Sequence, residues 1–151
     1  MIKVFSNLNV PAKELNEIEK ECFSAPWSEE SFKTAENTRF YLYFEGEKVV
    51  GYVGIYSVLD STRCRVFTYD KDGNLLFEFG KKGDSISDLG TPEALSYYGD
   101  NIAVLDAKSG SVKLFKRNEY AAAIVTAAVC EKSGDYEGSA VAWNDVLSLN
   151  S

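Results

Sequence analysis

The spacing of apolar residues changes within the first third of the chain. Residues 2–6 (IKVFS) alternate between apolar and polar side chains, which predicts a short strand with one buried face. Over residues 10–23, Leu15, Ile18 and Cys22 recur at helical spacing, with acidic residues on the opposite side. This pattern predicts an amphipathic helix, and a proline in its first turn agrees with that start.

A second helix and a hairpin follow. Ser28 is a suitable N-cap, and the two glutamates after it favour a helix N-terminus. Residues 39–44 and 48–59 are rich in aromatic and β-branched side chains and flank a turn-like EGEK, which predicts a β-hairpin. Gly51 and Gly54 in the second strand indicate either a bulge or close backbone approach, or two incidental small residues.

The middle of the chain predicts further strands. Residues 63–70 and 74–80 alternate around Asp72-Gly73, a strong hairpin signal. Residues 80–92 form a polar, glycine-rich loop, and residues 94–106 and 107–117 supply more strands that turn at glycines. We expect an antiparallel meander that pairs with the N-terminal hairpin.

The C-terminal part has helical character. Residues 119–132 are dominated by alanine, Ser133-Gly134-Asp135 interrupts them, and residues 136–149 resume a helical pattern, which predicts a helical hairpin. On the second helix, four residues are expected to share one face: Ala140, Trp143, Val146 and Leu147. The whole pattern predicts an α+β fold: an antiparallel sheet of about seven strands, two N-terminal helices and a C-terminal helical hairpin in one domain, residues 1–151.

Composition restricts the function classes. With 45% apolar and 26% charged residues in 151, the chain is an ordinary globular sequence, and its net charge of -7 opposes binding to nucleic acid or anionic membranes. It has neither a signal-like start nor a long apolar run, and Cys22, Cys64 and Cys130 lack CxxC spacing. We expect a soluble cytoplasmic protein with reduced thiols, packed as small hydrophobes.

Candidate chemistry is sparse. The chain has no histidine, which removes the commonest general base and metal ligand. Asp70, Asp72 and Asn74 match the first ligands of a calcium loop, but Leu75 occupies the place of the turn glycine, so hairpin turn chemistry explains them better. No catalytic, cofactor-binding or metal-ligating residue is predicted from these patterns.

The segment IEKECFSAPWSEESF, followed by YLYFEGEKVVGYVGIYSVLD, resembles the N-terminal half of the GNAT acetyltransferases, most closely those that acetylate the N-terminal alanine of a ribosomal protein. The resemblance covers residues 1–60. It implies that the loop carrying Phe23, Pro26, Trp27 and Ser28 contacts a peptide. Alternatively, Trp27 and Phe32 only fasten two helices to a sheet.

The acetyl-CoA half of that family is missing. The resemblance implies a strand followed by an Arg/Gln-x-x-Gly-x-Gly/Ala loop that holds the pyrophosphate, and no such spacing occurs after Asp60. We therefore expect no cofactor. An acetyl-CoA site would have to use an unfamiliar loop, such as residues 80–90, or a cleft where a strand after residue 63 splays from its neighbour.

The rest of the chain resembles two other families. Residues 63–117 resemble one NHL-type β-propeller repeat, on Phe-x-x-Asp-x-Asp-Gly, Phe79-Gly80 and a strand ending Val-Leu-Asp. Residues 119–151 resemble one tetratricopeptide repeat, with Ser139 in place of its alanine and Ser151 in place of its frequent proline. One repeat closes neither a propeller nor a stable array. A junction near residues 60–63 therefore indicates a recombined or constructed chimera.

Three functional hypotheses follow. The first is a non-catalytic scaffold or weak protein-interaction module that uses its aromatic and helix-pair surfaces, with a protein or peptide as partner. The second is a GNAT-type N-acetyltransferase that acts on a peptide N-terminus with an atypical acetyl-CoA site. The third is a fragment that needs a partner or further repeats, which predicts a mass that depends on concentration.

Overall fold

The computed structural model describes residues 1–150, and Ser151, which the repeat resemblance compares with a proline, lies outside them. These residues form four helices and eight antiparallel strands, in sheets ordered β1-β2-β3-β4-β5 and β6-β7-β8. The predicted α+β class, the N-terminal helices and the C-terminal helical hairpin are confirmed. The elements are β1 (Ile2–Ser6), α1 (Ala12–Cys22), α2 (Glu29–Thr34), β2 (Thr38–Glu45), β3 (Lys48–Asp60), β4 (Arg65–Asp70), β5 (Leu75–Phe79), β6 (Pro92–Tyr98), β7 (Asn101–Asp106), β8 (Ser111–Phe115), α3 (Glu119–Ser133) and α4 (Tyr136–Leu149).

Helices cover both faces of the five-stranded sheet. Successive side chains of a strand point to opposite faces. Phe40 and Leu42 therefore share one face, where α1 and α2 pack on them through Leu15 and Phe32. Tyr41 lies on the other face, beside Val53 and Ile55, and there α3 packs through Val125 and Val129. The helical hairpin thus covers the face opposite the N-terminal helices.

The strands divide into two sheets rather than one because residues 80–91 carry no alternating pattern. This loop leads the chain away from β5, and β6 begins a separate three-stranded sheet. That sheet packs its Ile102 and Val104 against Val66 of β4. The propeller-like segment therefore does not form a sheet of its own, since its first two strands extend the N-terminal sheet.

The proposed junction lies within the β3–β4 connection. The register pairs Leu59 with Val66 and Asp60 with Arg65, so the antiparallel ladder reaches both ends of the turn at residues 61–64. Asp60 caps the turn by accepting a hydrogen bond from the backbone N–H of Arg63 at 2.9 Å. Whatever the origin of the two parts, they share strand pairing and a common core.

Gly51 and Gly54 mark a bulge and close contacts. The β2–β3 register shifts between Tyr43 and Phe44, where Tyr43 pairs with Gly51. A Cβ at Gly51 would lie 2.4 Å from the Cα of Ser133 at the end of α3. A Cβ at Gly54 would meet the Phe40 ring at 3.2 Å. The bulge or close-approach alternative is thus confirmed for Gly51, whereas the close contact of Gly54 is with a side chain.

Gly51→Ala is expected to lower the free energy of unfolding by roughly 1–3 kcal/mol, as overpacking of a well-packed site does. The reason is that backbone atoms of Ser133 cannot yield without moving α3. Gly54→Ala is the matched control and should cost less, because its nearest neighbour is an aromatic ring that shifts a few tenths of an ångström. Urea denaturation of both variants gives the comparison, and the opposite order would contradict this account.

The helical hairpin is built from caps and small residues. The side chain of Asn118 caps α3, Gly134 ends it with a φ of 82°, and Asp135 caps α4. Ser139 donates a hydrogen bond to the carbonyl of Ala127 at 3.2 Å, which the small side chains permit. The thiol of Cys130 in α3 is buried, and this burial raises its pKa.

The packing face of α4 differs from the predicted one. Ser139, Ala142 and Val146 are its buried residues. Of the four residues expected to share a face, only Val146 is buried, and Ala140, Trp143 and Leu147 are exposed. Apolar residues surround most of this helix, so their spacing alone does not select a face. The small residues decide it, because they allow the closest approach to the alanine-rich α3.

The predicted packing of the cysteines is confirmed for two of them. All three are free thiols, with Cys64 and Cys130 buried. Cys22, at the end of α1, is exposed instead, since the chain turns into the α1–α2 connection there. None of the helices in residues 1–150 is long and apolar enough to cross a membrane.

Candidate functional site

The residues that the acetyltransferase resemblance implicates lie in the α1–α2 connection. Phe23, Pro26 and Ser28 are exposed, and Trp27 is half-buried. Ser28 has a structural task, because its Oγ accepts a hydrogen bond from the backbone N–H of Ser31 and caps α2. Phe23 and Trp27 come together around the ammonium group of Lys71, whereas Pro26 and Ser28 do not join this cluster.

Three aromatic rings and a carboxylate surround Lys71, and we call this cluster the Lys71 cage: Phe23, Trp27, Tyr52 and Glu19. The Nζ of Lys71 lies 4.5 Å from the ring centroid of Phe23 and 5.7 Å from that of Trp27. It lies 3.2 Å from Oε1 of Glu19, and the Lys71 side chain is only 11% exposed. Aromatic faces attract an ammonium ion strongly when it is desolvated.

Glu19 links the loop to the sheet. Its side chain is 1% exposed, and it accepts hydrogen bonds from the Tyr52 hydroxyl at 2.5 Å and from the backbone N–H of Trp27 at 3.0 Å. Burial and the Glu19 hydrogen bond raise the pKa of Tyr52 well above its usual range. The cage is thus occupied by the chain's own lysine, which agrees with the alternative that these aromatic side chains fasten the helices to the sheet.

Sequence reasoning did not find Glu19 or Lys71. Glu19 stands among other acidic residues of an amphipathic helix, and Lys71 stands in a hairpin turn. Nothing in their local patterns distinguishes them from solvated surface charges. Of the residues in the cage, only Phe23 and Trp27 were candidates from the sequence, and the resemblance assigned them to contact with a partner peptide.

The β4–β5 turn has the predicted chemistry. The carboxylate of Asp70 accepts hydrogen bonds from the backbone N–H of Asp72 at 3.0 Å and of Asn74 at 2.9 Å. The calcium-like spacing therefore serves the turn. Among residues 1–150, no group of three or more His, Cys, Asp or Glu side chains is arranged to hold a metal ion.

In the glycine-bearing loop, residues 80–90, backbone N–H groups already donate hydrogen bonds to carboxylates of the chain. Asp88 accepts a hydrogen bond from the backbone N–H of Ser85 at 3.2 Å. Asp106 accepts hydrogen bonds from the backbone N–H groups of Gly90 at 3.2 Å and of Thr91 at 2.7 Å. A bound phosphate would need such donors and would be repelled by both carboxylates. This loop offers no ready pyrophosphate cradle.

Asp106 is the centre of a buried polar cluster. It is 1% exposed, and its Oδ2 lies 3.1 Å from the Nζ of Lys113. The hydrogen bonds from the backbone of Thr91 and Gly90 lower the pKa of Asp106 well below its usual range. The cluster ties the loop before β6 to β7 and β8, which is a structural role.

Strands β4 and β5 leave no cleft between them. Val66 pairs with Phe79, Phe67 with Glu78, and Thr68 with Phe77 in a continuous antiparallel ladder, apart from one shift before Tyr69. Strand β4 is also paired with its N-terminal neighbour β3 without a register shift. An acetyl-CoA site in this sheet would use an opening between splayed strands. Such an opening does not occur at this position.

A row of exposed apolar residues lies on α4, and we call it the α4 stripe: Tyr136, Ala140, Trp143 and Leu147. These residues follow one another at intervals of four, three and four, so they lie on one side of the helix. Tyr136 is 73%, Trp143 41% and Leu147 68% exposed. The stripe has no neighbour in residues 1–150 that removes it from solvent.

The charged side chains of α4 have one sign. α4 contains Glu137 and Asp145 and no lysine or arginine. On another side of the helix, a groove of about 620 Å³ between α4 and β1 is lined by the same two carboxylates and by Asp135. The surface of α4 is therefore apolar and acidic.

Comparisons with known proteins add no family. No protein-family model matches the chain, and no curated protein matches it significantly.

Proposed function

We propose that the chain is a non-catalytic protein-interaction module, of recombined or constructed origin, that binds its partner through the α4 stripe. The observation that carries this proposal is the exposure of large apolar side chains at helical spacing on the side of α4 not packed against α3. Contiguous exposed apolar surface of this kind marks interaction sites in soluble proteins.

The partner is an amphipathic helix with basic flanks. Helices dock on apolar surfaces through residues spaced three and four apart, and the α4 stripe offers that spacing. Glu137 and Asp145 give the helix a negative field without a neighbouring base on α4. Complementary charge steers association and disfavours partners with the same sign. A second copy of this acidic chain is therefore a poorer occupant than a basic helix.

A synthetic amphipathic helix of leucine and lysine, roughly 18 residues long so that it is helical, is the probe. We expect fluorescence anisotropy to show saturable binding, and Trp143→Ser/Leu147→Ser to weaken it at least about tenfold, since each buried apolar side chain contributes roughly 1.5–3 kcal/mol. The matched control is Val58→Ser/Leu75→Ser, which removes two comparably exposed apolar side chains, 47% and 53%, from strands β3 and β5 rather than from α4.

Equal weakening by both double variants would show nonspecific adhesion and would overturn the assignment to α4. Loss of binding at about 0.5 M NaCl with no effect of the α4 variant would show that charge alone holds the peptide. Sedimentation of the chain alone tests the fragment hypothesis, because a mass that rises with concentration would show that the chain associates with itself.

Two features weigh against the acetyltransferase alternative: the paired β4–β5 ladder and the engaged donors of the loop at residues 80–90. Isothermal titration with CoA separates the two functions. Binding tighter than about 100 μM, as expected of a cofactor site, would overturn the non-catalytic proposal.

A further inference from the structure

A cavity lies between the two sheets near the start of α3, and we call it the intersheet cavity. Its volume is about 160 Å³. Five aromatic rings line it: Phe77, Phe79, Tyr97, Phe115 and Tyr120. An apolar cavity of about 150 Å³ accommodates a benzene-sized ring. Aromatic walls favour a flat aromatic guest over an aliphatic one of the same volume, because offset and edge contacts between rings add to the burial of area.

The carboxylates that line the cavity are already engaged within the chain. Asp100 accepts a hydrogen bond from the Tyr41 hydroxyl and lies 3.2 Å from a guanidinium nitrogen of Arg117. Glu78 is paired with Arg65. These two carboxylates are therefore not available to a ligand without breaking an existing ion pair.

Two lining hydroxyl groups are engaged as well. The Tyr97 hydroxyl lies 3.1 Å from Oγ of Ser57, and Thr68 Oγ1 lies 2.8 Å from the same atom. Burial raises the pKa of Tyr97, so its hydroxyl stays neutral around pH 7. The hydroxyl groups of Tyr97 and Thr68 are therefore both hydrogen-bonded to Ser57 within the chain.

The polar groups that remain unengaged are all donors. Lys116 and Tyr120 line the cavity, and neither side chain has a hydrogen bond or ion pair within residues 1–150. The side-chain oxygen of Asn118 accepts a hydrogen bond from the backbone N–H of Ala121 at 2.9 Å, and the side-chain NH₂ of Asn118 remains free. An ammonium, a hydroxyl and an amide NH₂ thus stand within five residues of one another at the edge of an aromatic cavity.

We propose that the intersheet cavity binds a small planar aromatic carboxylate. The ring occupies the space between the aromatic walls, and the carboxylate accepts from Lys116, Asn118 and Tyr120. Charge-assisted hydrogen bonds of this kind are about twice as strong as neutral ones. The net charge of -7 repels anions from the rest of the surface, so binding of an anion requires a local donor set. This site is separate from the α4 stripe and does not depend on it.

Benzoate is the probe, with benzyl alcohol and benzylammonium as neutral and cationic analogues. Saturation-transfer NMR and isothermal titration in low salt should give a Kd of about 1 mM for benzoate, the affinity that a ligand of this size reaches at modest efficiency. We expect benzyl alcohol to bind about fivefold and benzylammonium at least about tenfold more weakly, because neither supplies a carboxylate. Amide shifts should be confined to residues 116–121 and to the strands facing them.

Two variants separate the carboxylate from the ring. Lys116→Met should weaken benzoate about fivefold to tenfold and leave benzyl alcohol unchanged, since it removes only a charge-assisted contact. Lys82→Met is the matched control, because it makes the same change of charge on an exposed side chain that does not line the cavity. Ala121→Leu should fill the cavity and abolish binding of all three compounds.

Circular dichroism establishes that each variant is folded, and the amide shifts of the unaltered chain test the location even if Ala121→Leu does not fold. Absence of benzoate binding at about 10 mM, ten times the expected Kd, would overturn the proposal. Equal affinity for the three compounds, with no effect of Lys116→Met, would also overturn it, because the cavity would then be an apolar void without a carboxylate site.

Discussion

Lys71→Met is expected to lower the free energy of unfolding by about 3–5 kcal/mol, as removal of one partner from a buried ion pair does. Glu19, at 1% exposure, would then have only the hydrogen bonds from Tyr52 and Trp27. The variant also removes the cation from the faces of Phe23 and Trp27. Methionine keeps the length of the aliphatic stem, so the loss reports the charge rather than a cavity.

The matched control is Lys132→Met, because Lys132 pairs with Asp72 at 3.1 Å while its side chain is 42% exposed. Exposed pairs contribute about 0–1 kcal/mol, so this control should change stability little. The double variant Lys71→Met/Glu19→Gln should recover part of the loss, since it leaves no unpaired buried charge. Urea denaturation of the four proteins gives these values. A loss below about 1 kcal/mol for Lys71→Met would show that water already solvates the Lys71 cage.

The outcome for Lys71 also bears on the loop between α1 and α2. Because Phe23 and Trp27 contact the Lys71 ammonium, loss of that cation should loosen the loop that the acetyltransferase resemblance assigns to peptide contact. Near-ultraviolet circular dichroism should then change in the region of tryptophan. A loop held by its own lysine is a fixed part of the fold, and a partner peptide would have to displace that lysine first.

Local patterns predicted the elements well because their causes are local. The Asp72-Gly73 turn, the Ser28 cap and the Gly134 stop each act within four residues, and the structure places an element boundary at each. The second sheet was not predicted, because strand order depends on where a loop leads the chain. The prediction of the buried face of α4 was wrong because apolar residues lie on several sides of this helix and do not mark one face. The small residues Ser139 and Ala142 determine which face packs.

Site prediction failed where partners are distant in sequence. Glu19 meets Lys71, and Asp106 meets Gly90 and Lys113, across stretches that carry no shared motif. A buried charge looks like a surface charge until the fold supplies its partner. The implicated loop residues were a partial exception, since two of them do gather around one ammonium group, although that group belongs to the chain itself.

Asp106→Ala should be the most damaging change in the three-stranded sheet, with a fall in Tm of about 10 °C at pH 7, the size expected for loss of one partner of a buried pair. It would leave the backbone N–H groups of Gly90 and Thr91 and the ammonium of Lys113 without their acceptor. Asp84→Ala is the matched control, because Asp84 pairs with Lys108 while 78% exposed. Its Tm should change by less than about 3 °C.

The effect of Asp106→Ala should depend on pH with a definite sign. The pKa of Asp106 is lower in the folded chain than in the unfolded chain, where it is about 3.9. Its contribution is therefore complete above about pH 5 and declines as the pH falls through 4, because the unfolded state then binds a proton that the folded state does not. The Tm difference between the unaltered chain and Asp106→Ala should narrow from pH 7 to pH 3. A difference that stays constant over this range would mean that the carboxylate acts by shape alone, since only a charged acceptor links its stability to protons.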